Sequence, residues 1–386
     1  AMNESGIVLT LHQAMVDETT RHGPPVLGVT ERVVRQARTL EEAAQLIQAS
    51  RFAGAWRIIV SSVNEGTAAT FEVSARGVER ISMTANALVE TNHAMTESMR
   101  RREFSLSFQY FEDTRLRRRA LESKLSTIAR PGVQDVLDLV SGTTSEGVER
   151  THHGIPAKMN NIQSVIFDGA AGLVWMAVPT AAGSKPTEGN YIPFPTPARL
   201  KAAAQASSPE VAIRALLAQM PASMHRSAPS RPERVQAHAL YRRAAHIATD
   251  QGRWRDAYAL IREAAILEPM EAFYLIMAGA TALRAAGSET DAGRITQWIS
   301  VADRNFRQAM QMDMSPYHQN FVALLHGRVL DSMGDRTAAM EAYRRVDRRM
   351  SRPLANAADG GLSHAYASWH SRTMTLDYIH ADVLRF

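Results

Sequence analysis

The chain of 386 residues contains no cysteine. That excludes a disulfide framework, a thiolate metal site and any cysteine nucleophile carried by these residues. Lysine is nearly absent too, since Lys124, Lys158, Lys185 and Lys201 are the only four among 44 basic residues. Arginine therefore carries the positive charge, and the modest net charge of +5 does not by itself call for a nucleic-acid partner. No run of about 18 apolar residues offers a membrane span, and no basic, apolar and small-residue succession marks an export signal. The compartment is left open. GxxxxGK, GxGxxG, GxSxG and HExxH are all missing, so nucleotide cradles, serine elbows and helical zinc sites have no motif to rest on, and no cofactor is expected.

What is present has the composition of a soluble globular protein, with 45% hydrophobic and 22% charged residues. The length suits two or three domains. Ile7-Val8-Leu9-Thr10-Leu11 is β-branched and apolar and reads as a buried strand almost at the first residue. Thr30 to Ser50 reads as helix, with Thr39 and Glu42 spaced as a capping box. Trp56 to Ser62 and Ala68 to Val73 are strands around the turn Asn64-Glu65-Gly66, and Ile81 to Val89 is a third apolar segment. Residues 95 to 130 read as helical. Ser164 to Phe167 and Leu173 to Val178 flank Asp168-Gly169 and Gly172 as another hairpin.

Between 181 and 233 the composition shifts to Pro, Ser, Gly and Ala, with a helical patch at Pro209 to Gln219. Beyond it the pattern is helical and repetitive. Tyr241, Ala245, Gly252, Trp254, Ala257, Ala264 and Pro269 fall at the small, aromatic and breaker positions of a tetratricopeptide unit. Ala323, Gly327, Gly334, Ala339 and Tyr343 repeat the scheme. Tyr274, Gly279, Trp298, Ala302, Phe306, Ala309 and Pro316 form a third copy if about eleven residues around Gly287 to Gln297 are an insertion. The expected domains are 1–196, a linker with a short helix at 197–233, repeats at 234–350 and a helical tail at 351–386.

Candidate chemistry is sparse. His93 with His152-His153 matches no known ligand spacing, and capping or strand-end histidines are the simpler explanation. Arg100-Arg101-Arg102 and Arg117-Arg118-Arg119, interleaved with Phe104, Phe108, Tyr110 and Phe111, fit a solvated helix face better than a nucleic-acid surface. Asn92 differs, because it follows an apolar segment in Val89-Glu90-Thr91-Asn92-His93, and an amide at a strand end can donate to an oxyanion.

The order of these pieces resembles a family. Met2-Asn3-Glu4-x-Gly6-Ile7, the Thr39 to Ala43 helix start, Ile58 to Glu72 with its Gly66 turn, Thr91-Asn92-His93, Thr114 to Arg118, Ser164 to Phe167 and Leu173 to Trp175 follow one another as in the acyl-CoA:6-aminopenicillanate acyltransferase family of N-terminal nucleophile hydrolases. More distantly they are similar to choloylglycine hydrolases. The resemblance covers roughly residues 1 to 196 and implies a four-layer αββα sandwich, incomplete at its N-terminus, ahead of the tetratricopeptide-like domain. It implies attack on an amide or thioester of a small acylated substrate by a cysteine exposed through autoproteolysis. That cysteine lies several dozen residues upstream of the Met-Asn-Glu-x-Gly motif, on a segment outside these 386 residues.

The same resemblance implies roles for residues that are present. Asn92 is the oxyanion donor. Arg115, with Thr114 in place of serine, orients and charges the nucleophile end, and Gln13, or less readily His12, assists the oxyanion. Phe104 to Phe111 and Asn190 to Phe194 are expected to wall the acyl pocket, and the repeats are expected to hold a protein partner. The alternative is a non-catalytic scaffold, in which the repeats recruit proteins and a degenerate hydrolase-like domain is structural.

Overall fold

The computed structural model describes residues 1–17, 19–84, 87–104, 108–142, 154–158, 161–179, 185–227, 230–349, 352–377 and 382–385. It is mixed α and β up to about residue 195 and helical through most of the rest. The first strand, β1 (Ile7–Gln13), is followed by helices α1 (Val26–Gln36) and α2 (Leu40–Gln48). Strands β2 (Trp56–Ser62), β3 (Thr67–Ser74) and β4 (Gly77–Ser82) complete an antiparallel sheet in the order β1-β2-β3-β4. Residues at alternate positions, Ile7, Leu9, Ile58, Val60, Ala69, Phe71 and Val73, pack on Val29, Val33, Ala43 and Ile47 of the two helices. Gly66 closes the β2–β3 turn at φ +62.

The segment expected as one helix from Thr30 to Ser50 is two. The break at Ala37-Arg38 comes from a distant residue: Asn3 Nδ2 donates to the carbonyls of Val34 (3.0 Å) and Ala37 (2.7 Å) at the end of α1. Asn3 Oδ1 accepts from the amides of Ser5 and Ile7, so the Met-Asn-Glu-x-Gly stretch is a tight turn that pins β1 to α1. Thr39 then caps α2, accepting from Glu42 N at 3.1 Å, while Glu42 reaches back to Arg38 N at 2.7 Å. The third apolar segment also differs. Strand β4 ends at Ser82, which pairs with Ala69 near the start of β3.

Helices α3 (Glu97–Arg100), α4 (Phe108–Leu125) and α5 (Val133–Val140) lead to a second antiparallel sheet of β5 (Val165–Asp168), β6 (Leu173–Val178) and β7 (Asn190–Pro195). Gly172, at φ +65, closes the β5–β6 hairpin. One face of this sheet, with Ile166, Leu173, Trp175 and Tyr191, packs on Leu137 of α5. The opposite face carries Val165, Met176, Val178, Ile192 and Phe194, which remain between 38% and 45% exposed.

After α6 (Pro197–Ala204) and α7 (Pro209–Ala218) come α8 (Pro232–Gln251), α9 (Trp254–Leu267), α10 (Ala272–Ser288), α11 (Ala292–Ala309), α12 (Pro316–Ser332), α13 (Arg336–Arg344) and α14 (Arg352–Ser363). They share one core with Tyr241, Tyr274, Phe306, Tyr317 and Tyr343. Small residues sit where aromatics press: a Cβ on Gly279 would lie 2.5 Å from the Phe306 ring, and one on Gly327 2.4 Å from Tyr343. The residues that looked like an insertion near Gly287 lengthen α10 and α11, leaving only Glu289 to Asp291 between them.

The expected helical tail is corrected in part. Past α14 the chain forms a short 3-10 turn and a small hairpin of β8 (Thr375–Asp377) and β9 (Asp382–Arg385). Met374 and Leu376, two positions apart, are both buried in the helical core, a spacing that suits strand and not helix.

Candidate active site

The site is built around a buried arginine. Arg57 lies in the middle of the first sheet with its side chain fully enclosed, and its Nε pairs with Glu72 Oε1 at 3.1 Å. Its Nη2 donates to Glu90, and its Nη1 donates to the carbonyls of Thr91 and His93, both at 2.6 Å. Glu72 in turn accepts from Met95 N (2.6 Å), Thr96 N (2.9 Å) and Thr96 Oγ1 (2.6 Å). Glu90 also accepts from Thr70 Oγ1 at 2.7 Å. Two carboxylates and one guanidinium, all out of solvent, thus fix the irregular segment 90–96 by its backbone. A buried charge cluster is tolerated only when its lone pairs and protons are used in this way.

Asn92 is presented at the apex of that segment. Its backbone N–H donates to Thr114 Oγ1 at 2.8 Å, and its side-chain Oδ1 accepts from Arg117 Nη2 at 3.0 Å. A guanidinium can only donate, so the amide oxygen must face Arg117 and the Nδ2 protons must face the other way. Among the described residues nothing accepts from Nδ2. Arg117 is itself held: its Nε donates to Asp113 Oδ2 at 3.0 Å, one turn back on α4. Asp113 is buried and takes a second cation, Lys158 Nζ, at 2.8 Å, and Gly154 N at 3.0 Å. The chain of contacts Lys158, Asp113, Arg117, Asn92 orients one amide.

Of the other expected residues, His12 meets the same segment directly. His12 Nδ1 is 3.1 Å from the Thr91 carbonyl, which makes Nδ1 the protonated nitrogen. Burial, with Arg57 and Arg117 nearby, pushes its pKa below the ordinary histidine value. Gln13 is exposed at the end of β1, pairing across the sheet with Trp56. Arg115 is exposed on α4 and acts on the site through its charge, as one of the cations that depress His93. The guanidinium that touches Asn92 is thus Arg117, two residues along the helix.

His93 is buried and sits between Thr91 Oγ1 (3.1 Å) and Thr114 Oγ1 (3.3 Å). Burial first, then Arg57, Arg118, Arg115 and Arg100, lower its pKa to about 3, so it is neutral near pH 7. Glu112, beside Asp113, is raised to about 7 by burial and by that neighbouring carboxylate. Among the described residues no group of three His, Cys, Asp or Glu could hold a metal ion, and His152-His153 lie outside the described residues.

An apolar pocket of about 540 Å³ adjoins this segment, lined by Ile81, Leu88, Val89, Leu125 and Ile128, with Glu90 and Arg118 at its polar end. Of the two stretches expected to wall an acyl pocket, Phe104 is exposed, and the side chains of 105–111 are outside the described residues. Tyr191 is wholly buried, donating from its hydroxyl to Ser164 Oγ at 2.7 Å, whereas Ile192 and Phe194 face outward.

Sequence reasoning missed Arg57, Glu72, Glu90, Asp113, Arg117 and Lys158. Only Asp113 and Arg117 carried a local signal, the four-residue spacing of opposite charges on a helix. No helix is long and apolar enough to cross a membrane among the described residues. No curated protein and no solved structure matches the chain significantly. Residues 1–182, the part of the chain that holds Asn92 and every residue orienting it, match the family model of acyl-coenzyme A:6-aminopenicillanic acid acyl-transferase.

Proposed function

We propose that residues 1–196 form an acyltransferase or amidohydrolase domain, of the N-terminal nucleophile kind, that acts on an amide or thioester of a small acylated substrate. The family match supports an acyltransferase- or hydrolase-like activity. The observation that carries the proposal is the orientation of Asn92: Arg117 takes its oxygen, leaving Nδ2 as a fixed donor. A donor held in advance of the reaction stabilises the oxyanion of a tetrahedral intermediate without reorganising, an effect of roughly 3–4 kcal/mol. His12, neutral and tautomer-fixed beside Thr91, and Gln13 at the end of the same strand stand as assisting groups.

The family resemblance implies a cysteine nucleophile, and since these 386 residues hold none, this reading places it on another polypeptide segment. Its free α-amino group takes the thiol proton, the thiolate attacks the acyl carbonyl, Asn92 stabilises the resulting oxyanion, and the α-ammonium returns that proton to the leaving amine or thiol as the acyl–cysteine forms. Water or an acceptor amine then releases the acyl group. In the second half, Gly279 under Phe306 and Gly327 under Tyr343 support tetratricopeptide-like packing over 234–350, which we assign to docking a protein partner. The proposal is tested by joining the chain to the polypeptide encoded upstream of it and incubating the product with acyl thioesters and p-nitrophenyl acyl esters. Mass spectrometry is expected to show one acyl adduct on an N-terminal cysteine, and turnover with no adduct and no such cysteine would contradict it.

A further inference from the structure

Residues 366–376 lie across two helices of the second half. The chain leaves α14 through the exposed residues 363–365, and its 3-10 turn, Ser368–Thr373, then packs on α10 and α12. Ser371, Met374 and Leu376 are buried there, whereas Trp369 is 64% exposed. A 3-10 turn of six residues and strands of three and four residues have too little core to hold a shape alone. The helices beneath therefore supply the order of this segment.

The helices are shaped to receive a crossing backbone. A Cβ on Gly287, in the last turn of α10, would lie 2.6 Å from Arg372 N and 2.7 Å from the Ser371 carbonyl carbon. Gly287 has ordinary helical backbone, where glycine is unfavourable, so the close approach of the other chain segment accounts for it. Its carbonyl, at the open end of the helix, accepts from Arg372 Nε at 2.7 Å. Asp331 of α12 accepts from Tyr366 N at 2.8 Å, and it is held from within the helices by the Tyr343 hydroxyl (2.8 Å) and Arg336 Nη1 (3.0 Å). That acceptor is set before any segment arrives. Arg328, buried one turn earlier, lies under the Tyr366 ring at 4.9 Å and donates from Nη1 to Met374 Sδ at 3.9 Å.

We propose that the groove over α10 and α12 is a peptide-binding site closed in cis by residues 366–376, and that a partner polypeptide enters it by displacing this strap with a segment of the same chemistry. The strap itself supplies the pattern. An aromatic residue whose N–H reaches Asp331 is followed by Ser and Arg five and six positions on, and by apolar side chains eight and ten positions on. A strap tethered by a short linker acts at an effective concentration on the order of millimolar. The site is therefore gated, and only a matching segment competes for it. That a protein partner uses the groove rests on the assignment of 234–350 to docking, whereas exchange of the strap does not.

The test uses the full chain with a protease recognition sequence inserted between His364 and Ala365, and a fluorescent peptide of residues 366–377. Once cut, the chain is expected to take up the peptide in exchange for its own tail, followed by fluorescence anisotropy. The uncut chain should bind it roughly 100-fold more weakly, because its strap is tethered. A peptide carrying Met374→Asp and Leu376→Asp should not bind, and one carrying Trp369→Ala should bind as the parent does. Gly287→Ala in the cut chain should weaken binding on the order of tenfold or more. Equal binding to cut and uncut chains, no binding to the cut chain, or loss of its helical circular dichroism on cutting would overturn the proposal. So would uncut chains that pair by exchanging tails, seen in sedimentation as a dimer that the peptide does not dissociate, since the occupant would then be a second copy. Asn92→Ala is expected to bind the peptide as the wild type does, so a failure of the acyl-transfer chemistry would leave this result standing.

Discussion

Asn92 Oδ1 accepts a hydrogen bond of 3.0 Å from Arg117 Nη2, and Arg117 is anchored by Asp113 on the preceding turn of α4. The amide is therefore oriented by a side chain that has no direct part in the proposed reaction. Replacing Arg117 with Met removes the constraint and lets the amide rotate. Acylation by the protein joined to the proposed nucleophile segment is expected to fall roughly tenfold, as for loss of one orienting hydrogen bond, with KM changing less than kcat. Lysine at this position should restore part of the rate, and an unaltered kcat in Arg117→Met would contradict the positioning role.

Arg57 is the residue whose loss should cost the fold most. Arg57→Met leaves Glu72 and Glu90 buried without their cation, and removing one partner from such a cluster costs about 3–5 kcal/mol. Urea denaturation followed by circular dichroism reads this directly. Arg35→Met, on the exposed Glu31 pair of α1, is expected to change stability by less than about 0.5 kcal/mol.

Two buried groups give stability opposite slopes with pH. His93 protonates only near pH 3 in the folded chain but near its ordinary 6.5 when unfolded. Between those values the unfolded state binds more protons, so stability rises with pH, and it is lost as pH falls. Glu112 holds its proton up to about pH 7 when folded and releases it near 4.5 when unfolded, so its contribution falls as pH rises through that interval. His93→Gln should flatten the acid side of a plot of Tm against pH, and Glu112→Gln should remove the decline between about 4.5 and 7.

Neighbouring glycines of α14 should respond in opposite directions to alanine. A Cβ on Gly360 meets nothing within 4 Å, whereas one on Gly361 would lie 2.7 Å from the Tyr343 ring, which Gly327 already presses from another side. Tyr343 cannot yield freely, since its hydroxyl donates to Asp331 Oδ2 at 2.8 Å. Gly360→Ala is expected to stabilise by about 0.5–1 kcal/mol and Gly361→Ala to destabilise by about 1–3 kcal/mol. Thermal melts of the two variants decide it.

What could be read from the sequence was local. Thr39 three residues before Glu42 and Gly66 and Gly172 at their turns act on near neighbours, and each sits where its pattern placed it. What could not be read spans long separations. Asn3 stops α1 from more than thirty residues away. Arg57, Glu72 and Glu90 occupy strand or extended positions where a charge normally means a solvent-facing side, and only the fold shows that all three turn inward on one another. Asn92 stood out because its amide follows an apolar run, but the guanidinium that orients it could not be chosen among Arg115, Arg117, Arg118 and Arg119 without knowing which face of α4 meets the loop.

The most direct measurement is the rate of acyl-enzyme formation by the chain joined to the cysteine-bearing segment proposed for it, compared between wild type and Asn92→Ala in a rapid-mixing experiment. An oxyanion donor oriented by Arg117 predicts a fall of about 100- to 1,000-fold in the variant with little change in Tm. An acylation rate equal to that of the wild type would contradict the role of Asn92 and, with it, the assignment of acyl-transfer chemistry to this site.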